Sequence, residues 1–265
     1  MYDFRYHRPA TISEAVDLFR QCDDGQYLAG GQTLIPVMKQ RLASPSDLID
    51  LARIDELKDI SATESAITIG GMTTHAAIAA SSEVRSRLAA LADLASGIGD
   101  PHVRNRGTLG GSIANNDPTA DYPAAIVALG ATIITDRRRI EGDAFFTNIF
   151  ETALEEGELI RAVEFPIPER AAYAKFPNPA SRYAIAGVMV SKFADIVRVA
   201  VTGAGPFVFR VPDMEAALAR DFSPEAIEKL QIPAGDLNAD LHASPAYRAH
   251  LVSILAKRAV QAAKE

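Results

Sequence analysis

The stretch GDPHVRNRGTLGGSIANNDPTAD, residues 99–121, decides how this chain is read. It holds four glycines, three asparagines, three aspartates and two arginines, yet no cysteine and no pair of side chains suited to proton transfer. Glycine pairs at strand ends permit positive φ and, lacking Cβ, let a ligand come close to the backbone. A turn that then opens a helix presents unpaired N–H groups to an anion, assisted by the helix dipole. TLGGS (108–112) has this form, with Thr108 and Ser112 as flanking hydroxyls. AGGQT (29–33) repeats it, with Gln32 and Thr33 as side-chain donors and Thr33 as a candidate helix cap. One such turn is more often ordinary than functional; two together suggest a ligand with two phosphates. Neither reads G-x-G-x-x-G, and no G-x-x-x-x-G-K occurs, so neither a Rossmann site nor a P-loop is supported.

The rest of the stretch has two readings. Asn and Asp favour turns, and Asp before Pro commonly starts one. On the functional reading, Asp121 accepts hydrogen bonds from ribose or ribityl hydroxyls. Arg104 and Arg106 suit a phosphate or a solvated surface equally well. Tyr183, in ASRYAIAG, is either a core aromatic or a flat face for stacking on a ring. Of the five histidines (His7, His75, His102, His242 and His250), no two have metal-ligand spacing with a third ligand nearby in sequence, so no metal is expected. His75 is expected at a helix start.

Working outward, 48% apolar and 23% charged residues in 265 describe a folded globular chain with a sizeable core. A net charge of −7 argues against a nucleic-acid partner, which needs a basic face. The single cysteine, Cys22, can form no internal disulfide and cannot alone hold an iron–sulfur cluster or a structural zinc. That usage fits a reducing compartment. The opening MYDFRYHRPA has no apolar core, and the longest apolar run, PAAIVALGATII (123–134), is too short to span a bilayer. The expectation is a cytoplasmic protein without a transmembrane segment.

Thr11 and Glu14 have capping-box spacing, and Ile12, Ala15, Val16 and Phe19 share a helix face. A βαβ unit should follow: strand 26–29, helix 33–41, strand 47–51, then a helix-like or turn-like ARIDELK. SAITIGGMTTHAAIAAS reads as strand, double glycine and helix. Residues 82–98 read as one helix with Val84, Leu88, Leu91 and Leu94 on its apolar side. YPAAIVALG reads as helix, ATIITD as strand, and ELIRAVEFPIP as a strand ended by Pro166 and Pro168. The proline density of residues 168–183 predicts a loop or linker. Strands 188–193 and 196–202 follow, and the chain should be mostly helical from residue 213. These elements predict a domain of residues 1–170, with subdomains of about 1–55 and 56–170, and a C-terminal domain of 171–265.

Taken together, AGGQTLIP, GDPHVRNRGTLGGSIANNDPTADYPAA and KFPNPASRYAIAGV resemble the FAD-binding medium subunit of the molybdenum hydroxylase family, which includes aerobic carbon monoxide dehydrogenase and xanthine dehydrogenase. The resemblance runs over nearly the whole chain. It implies an α+β fold: a vanillyl-alcohol-oxidase-type (PCMH-type) FAD domain of two α+β subdomains, then a C-terminal α+β domain with an antiparallel sheet and helices. It implies that Leu28, Ala29, Gly30, Gly31, Gln32, Thr33, Leu34 and Ile35 wrap the FAD pyrophosphate, as do Thr108, Leu109, Gly110, Gly111 and Ser112. Asp121 would hold the ribityl or ribose region, Ile98, Ile160 and Lys175 would touch FAD, and Tyr183 would stack on the flavin. Many relatives have His-Ser where this chain has Gln32-Thr33, a change that keeps hydrogen-bonding groups.

The resemblance also implies partners: a small subunit with two [2Fe-2S] clusters and a large molybdopterin subunit, assembled as a dimer of heterotrimers. Electrons would leave through FAD to an external acceptor (quinone, NAD or oxygen), and the complex could sit at the periphery of the inner membrane. A stand-alone FAD oxidoreductase and a non-catalytic assembly module are the other readings, the second weakened by the intact glycine turns.

Overall fold

The structure, a computed structural model, describes residues 1–263; residues 264 and 265, the last two of the expected C-terminal domain, lie outside the described residues. The first helix, Ile12–Gln21, starts as its sequence dictates. Thr11 accepts from the Glu14 amide at 3.1 Å, and the Glu14 carboxylate reaches back to the Ala10 amide at 2.8 Å. The βαβ unit forms a three-stranded parallel sheet in which Asp47–Asp50 lies between Arg5–His7 and Gly25–Leu28. The helix between them is shorter than its sequence suggests, Leu34–Lys39. ARIDELK becomes two single 3-10 turns, Leu51–Arg53 and Asp55–Leu57.

The middle of the chain builds a five-stranded antiparallel sheet in the order Ile60–Ala62, Ala66–Gly70, Ile160–Pro166, Thr132–Thr135, Arg139–Glu141. Helices pack on it around Ile67, Ile69, Tyr122, Ile126, Val163 and Phe165. The single helix expected over 82–98 is two, Ser82–Arg87 and Ala89–Ser96. Leu88 leaves helical geometry at φ −145° and ψ 59°. The break redirects the second helix, whose Ala90, Leu91, Ala92, Leu94 and Ala95 are then all buried. Val84 and Leu88 stay in the core, so burial overrides helical continuity.

The expected linker of 168–183 is also corrected. Arg170–Pro177 is a strand that pairs antiparallel with Ala184–Lys192 along nearly its whole length, from Arg170 opposite Lys192 to Phe176 opposite Ala186. The prolines stand at its two ends, where no ladder bond is lost, and the interior AAYAKF alternates. Ala171 and Tyr173 pack toward the central core, and Ala174 and Phe176 toward the C-terminal one. This four-stranded sheet (170–177, 184–192, 197–202, 209–210) is thus covered on both faces. That is why AIAGVMVS has no exposed alternate.

The C-terminal segment is less helical than expected. Helices Pro212–Arg220 and Pro245–Ala262 flank a largely irregular stretch with one 3-10 turn, Pro224–Ile227. Pro233, Gly235 and the Asn and Asp residues of 228–244 favour turns over helix. Buried Arg248 fixes the long helix to the sheet by donating to the carbonyls of Ile185 and Gly203 (2.5 and 2.9 Å) and to Asp240. Replacing Arg248 by Met should therefore destabilise the fold by about 2–4 kcal/mol, since two carbonyls lose their donor inside the core. Urea denaturation of the two chains measures this.

Candidate functional site

A cleft of about 630 Å³ lies between the turn after strand Gly25–Leu28, the segment from Ile98 to Ser112, residues 114–121 and the turn Ser181–Tyr183. The two glycine turns meet across it. A Cβ on Gly30 would fall 2.2 Å from the Arg106 carbonyl oxygen and 2.8 Å from the Gly107 Cα, so this glycine is required for the two walls to touch. Gly31 has φ +71°.

The turns differ in what they offer. Among the described residues, no hydrogen bond joins the amides of Gly30, Gly31, Gln32 or Thr33 to a protein acceptor. Thr33 was expected to cap the helix and does not: its backbone is already helical, and its hydroxyl is left for the cleft. At the second turn the amides are spent. Leu109 donates to Thr73, Gly110 to Gly71, Ser112 to the Thr108 carbonyl and Gly111 to the Thr108 hydroxyl. This turn gives the cleft the bare surface of Gly111 and the side chains of Thr108 and Ser112.

Asp121, at the far end of the motif, is buried. One carboxylate oxygen accepts from the Tyr173 hydroxyl at 2.5 Å and the other from the Lys175 ammonium at 3.0 Å. Burial pushes the Asp121 carboxyl above its ordinary value, and the ammonium and hydroxyl work against that rise. Lys175 also donates to the carbonyls of Gly97 (2.9 Å) and Arg182 (3.1 Å). Arg104 donates to the carbonyls of Ile98 and Gly99, and Arg182 also to that of Gly99. The phosphate role open to Arg104 is thereby displaced: its guanidinium shapes the loop.

The family of FAD-binding domains in molybdopterin dehydrogenases matches residues 2–168. The chain belongs to this family. The nicotine 6-hydroxylase medium subunit of Paenarthrobacter nicotinovorans is 37% identical over 271 residues, covering 97% of this chain and 95% of its own. The carbon monoxide dehydrogenase medium chain of Hydrogenophaga pseudoflava is 36% identical, covering 98% and 96%. Among solved structures, carbon monoxide dehydrogenase from H. pseudoflava superposes with a TM-score of 0.87 at 34% identity (99% and 98% covered). Quinoline 2-oxidoreductase from Pseudomonas putida 86 superposes with a TM-score of 0.88 at 28% identity, again covering 99% and 98%. The mixed fold with antiparallel sheets agrees with the PCMH-type domain. FAD is the cofactor of this family, and the chain is an oxidoreductase component. Among the described residues, no helix is long and apolar enough to cross a membrane.

Of the residues expected to touch FAD, Leu28 to Leu34, Ile98, Thr108, Gly111, Ser112, Asp121 and Tyr183 line the cleft. Ile35, Leu109, Gly110, Ile160 and Lys175 do not. Ile35 packs under Gly31, Leu109 is fully buried, Gly110 lies against the Gly71 backbone, and Ile160 is part of the central sheet. Lys175 works from beneath, through Asp121.

His75 joins the cleft without having been expected there, although it does begin helix His75–Ala80. Its amide donates to the Gly107 carbonyl, which carries the ring to the cleft wall. Burial first, then the charge of Arg104, lowers its pKa to about 4, so it is neutral at pH 7.

Outside the cleft, the fold gathers His7, Cys22 and Asp47, distant in sequence, with ligand atoms within 4.8 Å of one another. Asp47 is saturated: Arg5 (2.8 Å) and Ser46 (2.6 Å) bond one oxygen, His7 (2.7 Å) the other. Arg5 above all holds this carboxyl well below the usual range, while burial and the Asp47 charge push the Cys22 thiol up. The guanidinium already supplies the cation, and the group anchors the first strand to its neighbour.

Two outcomes are expected. Lys175→Met, which strands a buried carboxylate, should cost about 3–5 kcal/mol, and the Lys175→Met/Asp121→Asn double variant less than the sum of its parts, by urea denaturation. Unfolded His75 binds its proton near pH 6.5 and folded His75 only near pH 4. Stability from this group is therefore complete above about pH 6.5 and is lost as pH falls toward about 4, by at most about 3 kcal/mol. Urea midpoints at about pH 5 and about pH 7.5 should converge in His75→Gln.

Proposed function

We propose that this chain is the electron exit of a heterotrimeric molybdenum hydroxylase. A small subunit would carry the [2Fe-2S] clusters, a large one the molybdopterin, and the assembly would be a dimer of heterotrimers. Support comes from the names of full-length relatives, a nicotine 6-hydroxylase medium subunit and a carbon monoxide dehydrogenase medium chain. Composition agrees: a chain with one cysteine cannot alone hold such a cluster, so the clusters of this assembly would sit on another chain. The FAD-binding part would be residues 1–170, with subdomains of about 1–55 and 56–170, and 171–265 would form the C-terminal domain.

The observation that carries the binding mode is the pair of turns. FAD, when bound, supplies the redox chemistry, and the residues here bind and orient it. The free amides of Gly30 to Thr33 hold the diphosphate. Gly111 lets it approach the second wall, and Ser112 and Thr108 present hydroxyls. Asp121 accepts from a sugar or ribityl hydroxyl while Lys175 and Tyr173 fix its carboxylate. Tyr183, half-exposed at the mouth and preceded by Arg182 in left-handed geometry (φ +64°), offers a ring face for the flavin. The external acceptor that bound FAD would serve is quinone, NAD or oxygen.

Paired glycine variants separate binding from folding. A Cβ on Gly111 meets only the Thr108 hydroxyl at 2.9 Å and the Ala29 methyl at 3.3 Å, whereas one on Gly110 runs into the Gly71 backbone at 2.7 Å. Gly111→Val should fold with a Tm close to that of the parent and purify without flavin. Gly110→Val should lose about 1–3 kcal/mol of stability. Normal FAD content in folded Gly111→Val, read from its absorption spectrum, would overturn the cradle.

A further inference from the structure

The His75 ring is fixed in one tautomer, and the residue lines the cleft. Nδ1 lies 3.2 Å from the hydroxyl of Tyr122. That phenol is fully buried, and among the described residues His75 is its one hydrogen-bond partner. A hydroxyl has a single hydrogen, and burying it unpaired costs more than leaving an oxygen lone pair unused. Tyr122 therefore donates to Nδ1, which must be the unprotonated nitrogen. In a neutral ring the hydrogen is then on Nε2. Burial keeps the ring neutral, and the charge of Arg104 reinforces this.

Among the described residues, Nε2 has no protein partner. It stands beside Gly107: a Cβ there would lie 2.5 Å from it, and Gly107 itself lines the cleft. Gly107 in turn is the residue against which Gly30 packs. Gly107 therefore stands between the His75 ring and Gly30, the first of the four residues whose amides are unpaired among the described residues. His75, Gly107 and Gly30 to Thr33 all line the same cleft.

We propose that His75, oriented by Tyr122, donates an Nε2–H hydrogen bond to the diphosphate of the bound dinucleotide, as a neutral donor that adds no charge to the site; this rests on the reading of the cleft as an FAD site. Tyr122 acts as a positioning residue: it touches no ligand and sets the tautomer.

The test uses the full-length chain stripped of flavin and titrated with FAD and with ADP, which carries a diphosphate but no flavin ring. His75→Phe should weaken both by about tenfold or more, the worth of one hydrogen bond to a charged acceptor. His75→Gln, whose side-chain amide nitrogen can take the place of Nε2, should recover most of the loss. The measurement that needs no variant to fold is nitrogen-15 NMR of histidine-labelled parent chain, with the His75 signal assigned by its absence in His75→Gln. It should report a neutral ring protonated at Nε2 whose Nε2–H shifts when ADP or FAD binds, and a mixed tautomer in Tyr122→Phe.

A parent chain that binds FAD while His75→Phe binds it equally well overturns the role of His75 and leaves the FAD reading standing. So does a His75 proton on Nδ1, or an Nε2–H indifferent to ADP. A parent chain that takes up neither ligand overturns the FAD reading, and this proposal with it.

Discussion

Lys175 stands where the loop at Gly97, the motif end at Asp121 and the turn at Arg182 have to converge, and its ammonium donates to all three. A cation with three donors on a flexible stem satisfies two carbonyls and one carboxylate from a single point. Asp121 needs it in return, because a carboxylate at that depth without a partner would protonate or unfold its surroundings. Tyr173, whose hydroxyl is pushed far from ionising by the same burial, completes the junction as a donor. The width of the cleft and the place of Tyr183 at its mouth both follow from this one polar knot.

The knot is possible because Tyr173 and Lys175 lie on a strand of the two-sided sheet. One face of that sheet closes the core under the cleft; the other carries the C-terminal helices. The join to the motif is made by backbone and hydroxyl groups. Thr202 donates to the carbonyls of Pro118 and Ala120, Ala184 to Thr119, and Gly203 to Pro118. The C-terminal residues are thus part of what holds the PTAD segment still. A second domain that only hung on a linker would leave Asp121 without its partners.

The two glycine turns, similar in sequence, do different work. One keeps its amides unpaired because the chain leaves a parallel strand and enters a helix of barely two turns. The other pairs its amides with Gly71, Thr73 and its own cap, and so becomes a rigid wall. An anion would meet flexible-side donors on one wall and fixed hydroxyls, a glycine face and a histidine ring on the other. That division suits a cofactor whose chemistry depends on position and whose charge lies at its middle.

Capping signals, glycine pairs and period-two runs were local enough to be read directly. Thr11 with Glu14, the parallel strands of the βαβ unit and the strand–glycine–helix at 66–80 form as their sequences indicate, because each is decided within a few residues. The long motif, with AGGQT and ASRY, points to the family by sequence alone. What the sequence could not determine depended on partners far along the chain. Leu88 breaks a helix because its neighbours must be enclosed, and 170–177 is a strand because 184–192 pairs with it. The same holds at the cleft. Lys175 spends its ammonium on protein acceptors; Thr33 reads as a cap but makes no cap bond; His75 is the helix start its sequence predicts and also lines the cleft beside Gly107 and Tyr122. Residue types and local turns belong to the sequence. The direction in which a polar group spends its hydrogen bonds belongs to the tertiary structure, since only there does each donor meet the acceptors that compete for it.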